Sequence, residues 1–298
     1  MNVSFTIKVF KDLWVALRPL SLTLSVSSTT LGIIMAHRAG YVFSGDKSVD
    51  IIKIVLITIA GMAVLGSANL VNDFYEGSFK YHRPGEKTYK FLKYDRTAFD
   101  MLVFAFSMLC ILITAVIGIV LIRMSTPKLM LIGLVGIIGA YAYTGEPFVY
   151  KRKGFGAILS LILVGSLMVL GSYMVFSEHF SWEPIIYTLP AGLMIPLMMM
   201  SNEIRDYYRD KQLGIKTFTV IFGRNTGKIV YAAIILASYF LTCIFVYFGK
   251  LPLASLSVLI TIPVAVKAYK TVSHETSGIR ITNWLHISFN LLTIISLL

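Results

Sequence analysis

The composition of this 298-residue chain indicates a membrane protein. Hydrophobic residues make up 56% of the sequence and charged residues 14%, which excludes a soluble domain of this length. The formal net charge of +12 requires no nucleic acid partner, because basic loops beside anionic lipid headgroups account for it. We therefore expect a single transmembrane domain, residues 1–298, embedded in the lipid bilayer of the cell membrane.

Continuous apolar segments of about 18 to 25 residues predict the transmembrane elements. A spanning segment must satisfy its own backbone hydrogen bonds in the hydrocarbon, so these uninterrupted runs predict helices. About nine are predicted in chain order, at residues 15–36, 52–75, 98–122, 128–146, 156–176, 184–204, 229–248, 251–271 and 281–298. The predicted fold is an all-α polytopic membrane protein.

The basic residues predict how these helices are oriented. The N-terminal segment and the loops that follow the even-numbered helices contain most of the 27 lysine and arginine residues. Cytoplasmic loops carry such an excess, so these segments are predicted to be cytoplasmic. The chain is expected to be a multi-pass protein whose loops after the second and sixth helices face the cytoplasm.

Two polar clusters follow the second and sixth predicted helices. The first motif runs from Asn72 to Glu76 and the second motif from Asn202 to Asp210. Carboxylates are costly near the hydrocarbon and unfavourable at helix C-termini, so we expect the two motifs to hold a positively charged ligand. Each motif contains polar residues at steps of four, which suggests an internal duplication and places them on one helix face: Asn72, Glu76 and Lys80 in the first, and Asn202, Asp206 and Asp210 in the second.

Two converging carboxylate stripes suit Mg2+, which proteins bind through carboxylates together with the phosphates of a substrate. Arginine and lysine side chains bind phosphate oxygens, and several lie in the neighbouring loops, although single basic residues in such loops are more often neighbours of lipid headgroups. The acids are the favoured ligands, with Glu203 the least favoured because it lies off the second stripe. The basic residues concerned are Lys151, Arg152, Lys153, Arg205, Arg209, Lys211 and Lys216.

An ion-coupled secondary transporter is the alternative class. Transporter sites usually lie at the bilayer midplane on broken helices of inverted repeats, and Pro190 and Pro196 interrupt the sixth predicted helix. The two motifs instead lie at one membrane interface, and the suggested duplication is parallel. This arrangement favours an enzyme.

At these residues the sequence resembles the UbiA-type superfamily of intramembrane prenyltransferases, and within it most closely the branch that prenylates 1,4-dihydroxy-2-naphthoate in menaquinone biosynthesis. The resemblance covers nearly the whole chain. It is carried by Arg18-Pro19, Asn69 to Asp73, Tyr143-Thr144-Gly145 with Pro147, Asn202 to Asp206 with Asp210, Gly214, Lys216-Thr217, Phe222-Gly223-Arg224, and Arg280 with Thr282, Leu285 and His286.

The resemblance implies a ring of nine helices around a central cavity. It also implies Mg2+ bridging the two motifs, an isoprenoid diphosphate donor and an aromatic acceptor. The metal ligands would be Asn72, Asp73, Glu76, Asn202, Asp206 and Asp210, of which Asp73, Glu76, Asp206 and Asp210 would be catalytic. The substrate-binding residues would be Arg18, Asn69, Asn72, Lys151, Asn202, Arg205 and Lys216.

The first motif departs from the family pattern. The family usually has aspartate where Glu76 stands, and a further acid where this chain has Lys80 or His82. These departures leave other acceptors open, such as a hydroxybenzoate or a glycerol-phosphate ether lipid. In the last predicted helix, His286 and Asn290 are expected to form interhelical hydrogen bonds, with contact to the acceptor as the alternative.

Overall fold

The computed structural model of the chain describes residues 3–77, 87–92, 94–273 and 278–298, and nearly all of them are helical. The α-helices are α1 (Val3–Leu17), α2 (Pro19–Arg38), α3 (Lys47–Asn72), α4 (Ala98–Met124), α5 (Leu129–Ala142), α6 (Gly156–Ser160), α7 (Met168–Ser177), α8 (Glu183–Gly192), α9 (Met194–Gln212), α10 (Phe218–Phe222), α11 (Arg224–Tyr247), α12 (Ile262–Ser273) and α13 (Ile279–Leu297).

Shorter elements extend or connect these helices. Wide π-helical turns continue α3 and join α6 to α7, at Asp73–Gly77 and Leu161–Leu167 respectively. Tight 3-10 turns cover Tyr150–Arg152 and Leu253–Thr261, the second leading directly into α12. These elements complete the helical part of the fold that the structure describes.

Seven helical stretches of the described chain are long and apolar enough to cross a membrane, which confirms an integral, multi-pass, all-α protein. They are Pro19–Arg38, Lys47–Glu76, Ala98–Met124, Gly156–Ser177, Glu183–Gln212, Arg224–Tyr247 and Leu253–Val272. The predicted fourth and ninth helices are present as α5 and α13 but are not among the seven, and α5 has only 14 residues. The predicted count of nine spans is therefore not established.

The first membrane helix begins later than predicted. Arg18 has a left-handed backbone with φ of 53° and separates α1 from α2, which starts at Pro19. A residue before proline is disfavoured in the α-helical region because of the proline ring. The predicted span 15–36 was therefore wrong at its start, and Pro19 was the signal for the break.

The sixth membrane helix extends beyond its predicted end at residue 204. It is built from α8 and α9, which meet at Leu193 between Pro190 and Pro196. Proline removes a backbone donor and clashes with the preceding turn, which accounts for the interruption. After this break in the chain, α9 continues as a helix to Gln212, so the whole second motif lies on a helix.

A short antiparallel hairpin, which the sequence did not predict, precedes α4. Its strands are Thr88–Phe91 and Tyr94–Thr97, with Thr88 paired to Thr97. Thr97 and Asp100 then start α4 with reciprocal hydrogen bonds of 2.9 and 3.1 Å between each side chain and the other residue's backbone N–H. This capping box directs the chain from the hairpin into the membrane helix.

Helix α2 is central to the packing although it is rich in serine and threonine. Its hydroxyls donate to carbonyls one turn back, for example Ser25 Oγ to Leu22 O and Thr29 Oγ1 to Ser25 O, both at 2.9 Å. Because these groups are satisfied within the helix, the small side chains allow close approach of neighbouring helices. Helix α2 packs against α3, α7 and α13.

The last helix is held by interhelical hydrogen bonds. His286 is buried and its Nε2 lies 3.1 Å from Ser27 Oγ of α2. Asn290 Nδ2 donates to His286 O at 3.0 Å and to Ala191 O at 3.5 Å. Both side chains therefore make the interhelical contacts expected of polar residues in a membrane bundle.

Candidate active site

An apolar cavity of about 490 Å³ lies inside the helical bundle. Helices α2 to α5 and the continuous stretch from α6 to α7 contribute to its walls, with aliphatic side chains predominating. Polar side chains at one end include Asn69, Tyr143 and Tyr150. The cavity therefore has an apolar body and an end that approaches the first motif.

The first motif is formed where α3 widens into the π-helical turn. Asn72 and Asp73 are buried there, and Phe74 is completely inaccessible to solvent. Arg96 of the hairpin donates to Phe74 O at 2.7 Å and stacks over the Phe74 ring at 4.2 Å from the ring centre. The hairpin thus fixes the end of α3, and sequence reasoning missed this contact.

Glu76 is paired with cations from a distant part of the chain. Lys151 Nζ donates to its Oε2, and Arg152 Nε lies 3.5 Å from its Oε1. Asn72 Nδ2 also donates to Oε2, at 3.1 Å, and Arg18 donates to the Oδ1 of the same asparagine. The segment before α2, the end of α3 and the loop after α5 therefore meet at one point.

The carboxylates of the second motif are paired with arginines of their own helix. Arg205 binds Asp206 with two hydrogen bonds of 2.7 and 2.6 Å. Arg209 donates to Asp210 Oδ1 at 3.3 Å and also lies 4.0 Å from Asp206 Oδ2. Asn202 lies half-buried one turn before Asp206.

The two motifs lie on the same face of the molecule, with Lys151 within electrostatic range of both. Its charge acts on Glu76 in the first motif and on Asp206 and Asp210 in the second. Glu76 and Asp210 also interact electrostatically with each other. The structure therefore brings together the two carboxylate stripes.

The remaining predicted substrate-binding residues have different environments. Lys216 is exposed, and its backbone forms a parallel bridge with Lys153. Asn69 lies one turn before the motif and uses its amide to hold the start of α2, donating to Leu17 O at 3.0 Å and Ser21 Oγ at 2.7 Å. Lys80 and His82, where the sequence departs from the family pattern, lie outside the described residues.

Two tyrosines in contact with each other line the cavity near the charged groups. The Tyr143 ring centre lies 5.8 Å from Lys151 Nζ, and its hydroxyl donates to Met199 Sδ at 3.2 Å. Tyr150 donates to Gly139 O at 3.0 Å, and burial raises the pKa of this loop phenol well above its usual range. Both rings line the polar end of the cavity, so charged and apolar regions meet at this layer.

The donor set of the two motifs fits a hard divalent cation. It consists of carboxylate and amide oxygens, which Mg2+ prefers. Among the described residues, buried Glu76 Oε1 accepts no hydrogen bond, and its ion-pair partner Arg152 Nε lies 3.5 Å away, so this oxygen retains the capacity to accept a ligand. In the described part of the chain no three His, Cys, Asp or Glu side chains already form a metal-binding group.

A charged, oxygen-rich cluster beside an apolar cavity inside a helical membrane protein is the combination that the structure presents. The family model described as "UbiA prenyltransferase family" matches residues 33–290. The chain belongs to the UbiA prenyltransferase family and is a prenyltransferase enzyme.

Relatives and solved structures agree with this assignment. The 1,4-dihydroxy-2-naphthoate octaprenyltransferase of Bacillus subtilis is 27% identical over 272 residues, which cover 87% of this chain and 81% of that protein. The UbiA prenyltransferase domain-containing protein 1 of Danio rerio is 28% identical over 234 residues, 77% of this chain and 66% of the relative.

The fold matches that of a solved UbiA homologue from Aeropyrum pernix. Its TM-score is 0.66 at 14% identity, with 92% of this chain and 98% of the other covered. A homologue from Archaeoglobus fulgidus, solved bound to GPP and Mg2+, has a TM-score of 0.58 at 12% identity over 93% of this chain and 97% of the other. At these identities the likeness supports the fold, and the family membership excludes the transporter alternative.

Proposed function

We propose that this enzyme transfers a prenyl group from an isoprenoid diphosphate to 1,4-dihydroxy-2-naphthoate, in a Mg2+-dependent step of menaquinone biosynthesis. One observation carries the proposal: the carboxylates of both motifs and the ammonium of Lys151 lie together beside the polar end of an apolar cavity. A prenyl diphosphate has the same division into an anionic head and an apolar tail. The name of the Bacillus subtilis relative supports the naphthoate acceptor.

In this proposal the diphosphate binds among the cations, and the prenyl chain occupies the cavity. The Archaeoglobus fulgidus homologue, which was solved with GPP and Mg2+, supports a donor of this class. Mg2+ would be held by Asn72, Asp73, Glu76, Asn202, Asp206 and Asp210, and would stabilise negative charge on the leaving diphosphate. The groups that would bind diphosphate oxygens directly are Arg18, Lys151, Arg205 and Lys216, with Asn69 at the cavity end.

The reaction would begin with cleavage of the allylic carbon–oxygen bond, with the bonding electrons leaving on diphosphate. Preorganised cations that face this developing charge lower the barrier. The Tyr143 ring offers a π-face near the charged groups and would shield the allylic cation. The ring carbon that bears the acceptor's carboxylate would then bond to the allylic carbon, and loss of that carboxylate as CO2 would return the bonding pair to the ring and restore its aromaticity.

The orientation in the membrane is part of the proposal. The excess of lysine and arginine in the loops after the even-numbered helices supports a cytoplasmic location for both motifs, in the cell membrane. Water-soluble acceptors and Mg2+ would reach the site from that side. Accessibility of a cysteine introduced at exposed Lys153, in a variant with Cys110 and Cys243 replaced by alanine, to an impermeant reagent in intact cells and in inverted vesicles tests this orientation.

Membranes that contain the protein test the activity directly. They are incubated with an allylic diphosphate, Mg2+ and 1,4-dihydroxy-2-naphthoate, and the prenylated product is identified by mass spectrometry. Parallel reactions contain a hydroxybenzoate or a glycerol-phosphate ether lipid, and control reactions contain a chelator. If product forms with only one of these other acceptors, that compound replaces 1,4-dihydroxy-2-naphthoate as the acceptor. If no acceptor gives a product that the chelator abolishes, the proposal is contradicted.

The cellular role is tested by mass spectrometry of quinones in cells with and without the gene. The proposal predicts that menaquinone disappears when the gene is deleted and returns when it is restored. A menaquinone content that does not depend on the gene would contradict the naphthoate assignment.

A further inference from the structure

We infer that Glu203 is a positioning residue, which fastens the second motif to the two loops that contain Lys216 and Lys151. The role of those lysines in diphosphate binding rests on the proposed function, whereas the fastening itself is a property of the fold. The sequence places Glu203 beside Asn202 within the most acidic part of the chain. Its contacts in the structure differ from those of the neighbouring acids.

The Glu203 side chain binds the segment that follows Lys216. Glu203 is only 4% exposed, and its Oε2 accepts the backbone N–H of Thr219 at 3.2 Å. The Thr219 hydroxyl donates in return to Glu203 O at 3.1 Å. Two hydrogen bonds between the same pair of residues hold this segment against α9, three residues after Lys216.

Neighbouring contacts extend this attachment to both loops. Arg224 Nε donates to Ile204 O at 3.2 Å, so the far end of the same segment is also fixed to α9. The backbone bridge between Lys216 and Lys153 joins the segment to the loop that contains Lys151. A displacement at Thr219 would therefore be transmitted to both proposed diphosphate-binding lysines.

Glu203 also abuts the start of α6. A Cβ atom on Gly156 would lie 3.4 Å from Glu203 Oε1, and 3.8 Å from Lys151 Cγ. The carboxylate thus fits closely against the backbone that follows the Lys151 loop. It lies at the junction of three segments, α9, the start of α6 and the segment after Lys216.

These contacts distinguish Glu203 from a metal ligand. Its Oε2 is engaged by Thr219, and the side chain lies off the stripe formed by Asn202, Asp206 and Asp210. A buried carboxylate needs hydrogen-bond donors. In a structural role these donors come from the protein, whereas a metal ligand has the metal ion as its partner. The fold therefore depends on the length of the Glu203 side chain and on its acceptor oxygen.

Two conservative variants separate these properties. Glu203→Gln keeps the length and an acceptor oxygen but removes the charge, whereas Glu203→Asp keeps the charge but shortens the side chain. Hydrogen exchange of the purified full-length protein, followed by mass spectrometry, measures protection of residues 215–224, with residues 229–247 as the internal reference. We expect Glu203→Asp to exchange about tenfold faster in the first segment, because the shortened side chain no longer accepts the Thr219 N–H. Glu203→Gln should stay within about twofold, because its amide oxygen keeps this hydrogen bond.

Kinetics supply the second measurement. For an active wild type, Glu203→Asp should raise the KM for the allylic diphosphate about tenfold with kcat within about threefold, because binding and not the chemical step is affected. Glu203→Gln should recover most of that loss. The Mg2+ concentration for half-maximal activity should change far less in Glu203→Gln than in Asp206→Asn, the matched variant of a proposed ligand.

Two results would overturn the inference: unchanged exchange of residues 215–224 in Glu203→Asp, or a requirement for Mg2+ in Glu203→Gln that rises as much as in Asp206→Asn. The exchange measurement does not depend on catalysis. If the wild type makes no prenylated product, the proposed function fails while the exchange result still decides the role of Glu203.

Discussion

The two halves of the candidate site are held in different ways. In the first motif, the Glu76 side chain is 6% exposed and its cations come from a loop 75 residues away. In the second motif, the Asp206 side chain is 21% exposed and its main partner is the adjacent Arg205. The first half therefore depends on the assembly of the whole bundle, whereas the second half is largely organised within one helix.

Because of this difference, we expect substitutions in the two halves to have different effects on stability and on catalysis. Removing one member of a buried ion pair leaves an uncompensated charge and costs about 3–5 kcal/mol, whereas an exposed pair contributes about 1 kcal/mol or less. Substitutions in the first half should therefore affect both folding and activity. Substitutions in the more exposed Arg205–Asp206 pair of the second half should affect activity with little change in stability.

The largest expected effect is on the activity of Asp206→Asn. Loss of a carboxylate proposed to hold Mg2+ should lower kcat/KM by about 100-fold or more, because several kcal/mol of leaving-group stabilisation are removed. The melting temperature should change little, since the Arg205–Asp206 pair is partly exposed. Product formation and thermal unfolding of the same purified samples measure the two effects.

Asp95→Asn is the matched control, because Asp95 is an exposed carboxylate that pairs with Lys90 on the hairpin. It should leave both activity and melting temperature near those of the wild type. Normal activity in Asp206→Asn would remove Asp206 from the metal set. An equal loss in both variants would show that the effect is not specific to the site.

The second-largest expected effect is a loss of stability in Lys151→Met. With Lys151 only 15% exposed and Glu76 buried beneath it, the variant should lose about 3 kcal/mol and about 5–10 °C in melting temperature. The double variant Lys151→Met/Glu76→Gln should recover most of this loss, because no unpaired charge remains. Thermal unfolding in detergent measures each step of this cycle.

Lys153→Met is the control for this cycle. The residue belongs to the same loop, is exposed, and should change the melting temperature little. If the double variant unfolds as early as Lys151→Met, the charge pairing is not the source of the stability. The ion pair of the first half would then contribute no more to stability than the ion pair of the second half.

A smaller effect is expected for Arg205→Met. The proposed loss of one diphosphate contact should raise the KM for the donor about tenfold, a typical cost for a charge-assisted hydrogen bond. Stability should stay within about 1 kcal/mol, because the Arg205 side chain is 35% exposed in its pair with Asp206. Steady-state kinetics over a range of donor concentrations provides the measurement, and an unchanged KM would remove Arg205 from the diphosphate site.

The smallest effect is expected for Tyr143→Phe. The change removes a weak hydrogen bond to Met199 Sδ but keeps the ring beside Lys151. Activity should therefore stay within about threefold of the wild type, whereas Tyr143→Leu should lose more because the π-face is removed. Equal activity of the Phe and Leu variants in the same assay would contradict a role for the ring.

The sequence predicted the membrane helices and the meeting of the two motifs for simple physical reasons. Apolar runs report burial in lipid, and loops after two even-numbered helices lie on one membrane face. The pairing of Lys151 with Glu76 was not predictable, because it depends on how α3 and the loop after α5 pack. The contact between Arg96 and Phe74 was missed as well, since its hairpin strands contain only four residues each within a basic segment.

The π-helical turn at Asp73–Gly77 has a geometric consequence for the suggested duplication. Four α-helical residues rotate somewhat beyond one full turn, as between Asn202 and Asp206, whereas a wider turn rotates less per residue. In the first motif Glu76 therefore falls short of a full turn from Asn72 instead of passing it, and their side chains are hydrogen-bonded at 3.1 Å. Equal spacing in the sequence thus produces polar pairs that are offset in opposite directions around the helix axis in the two motifs.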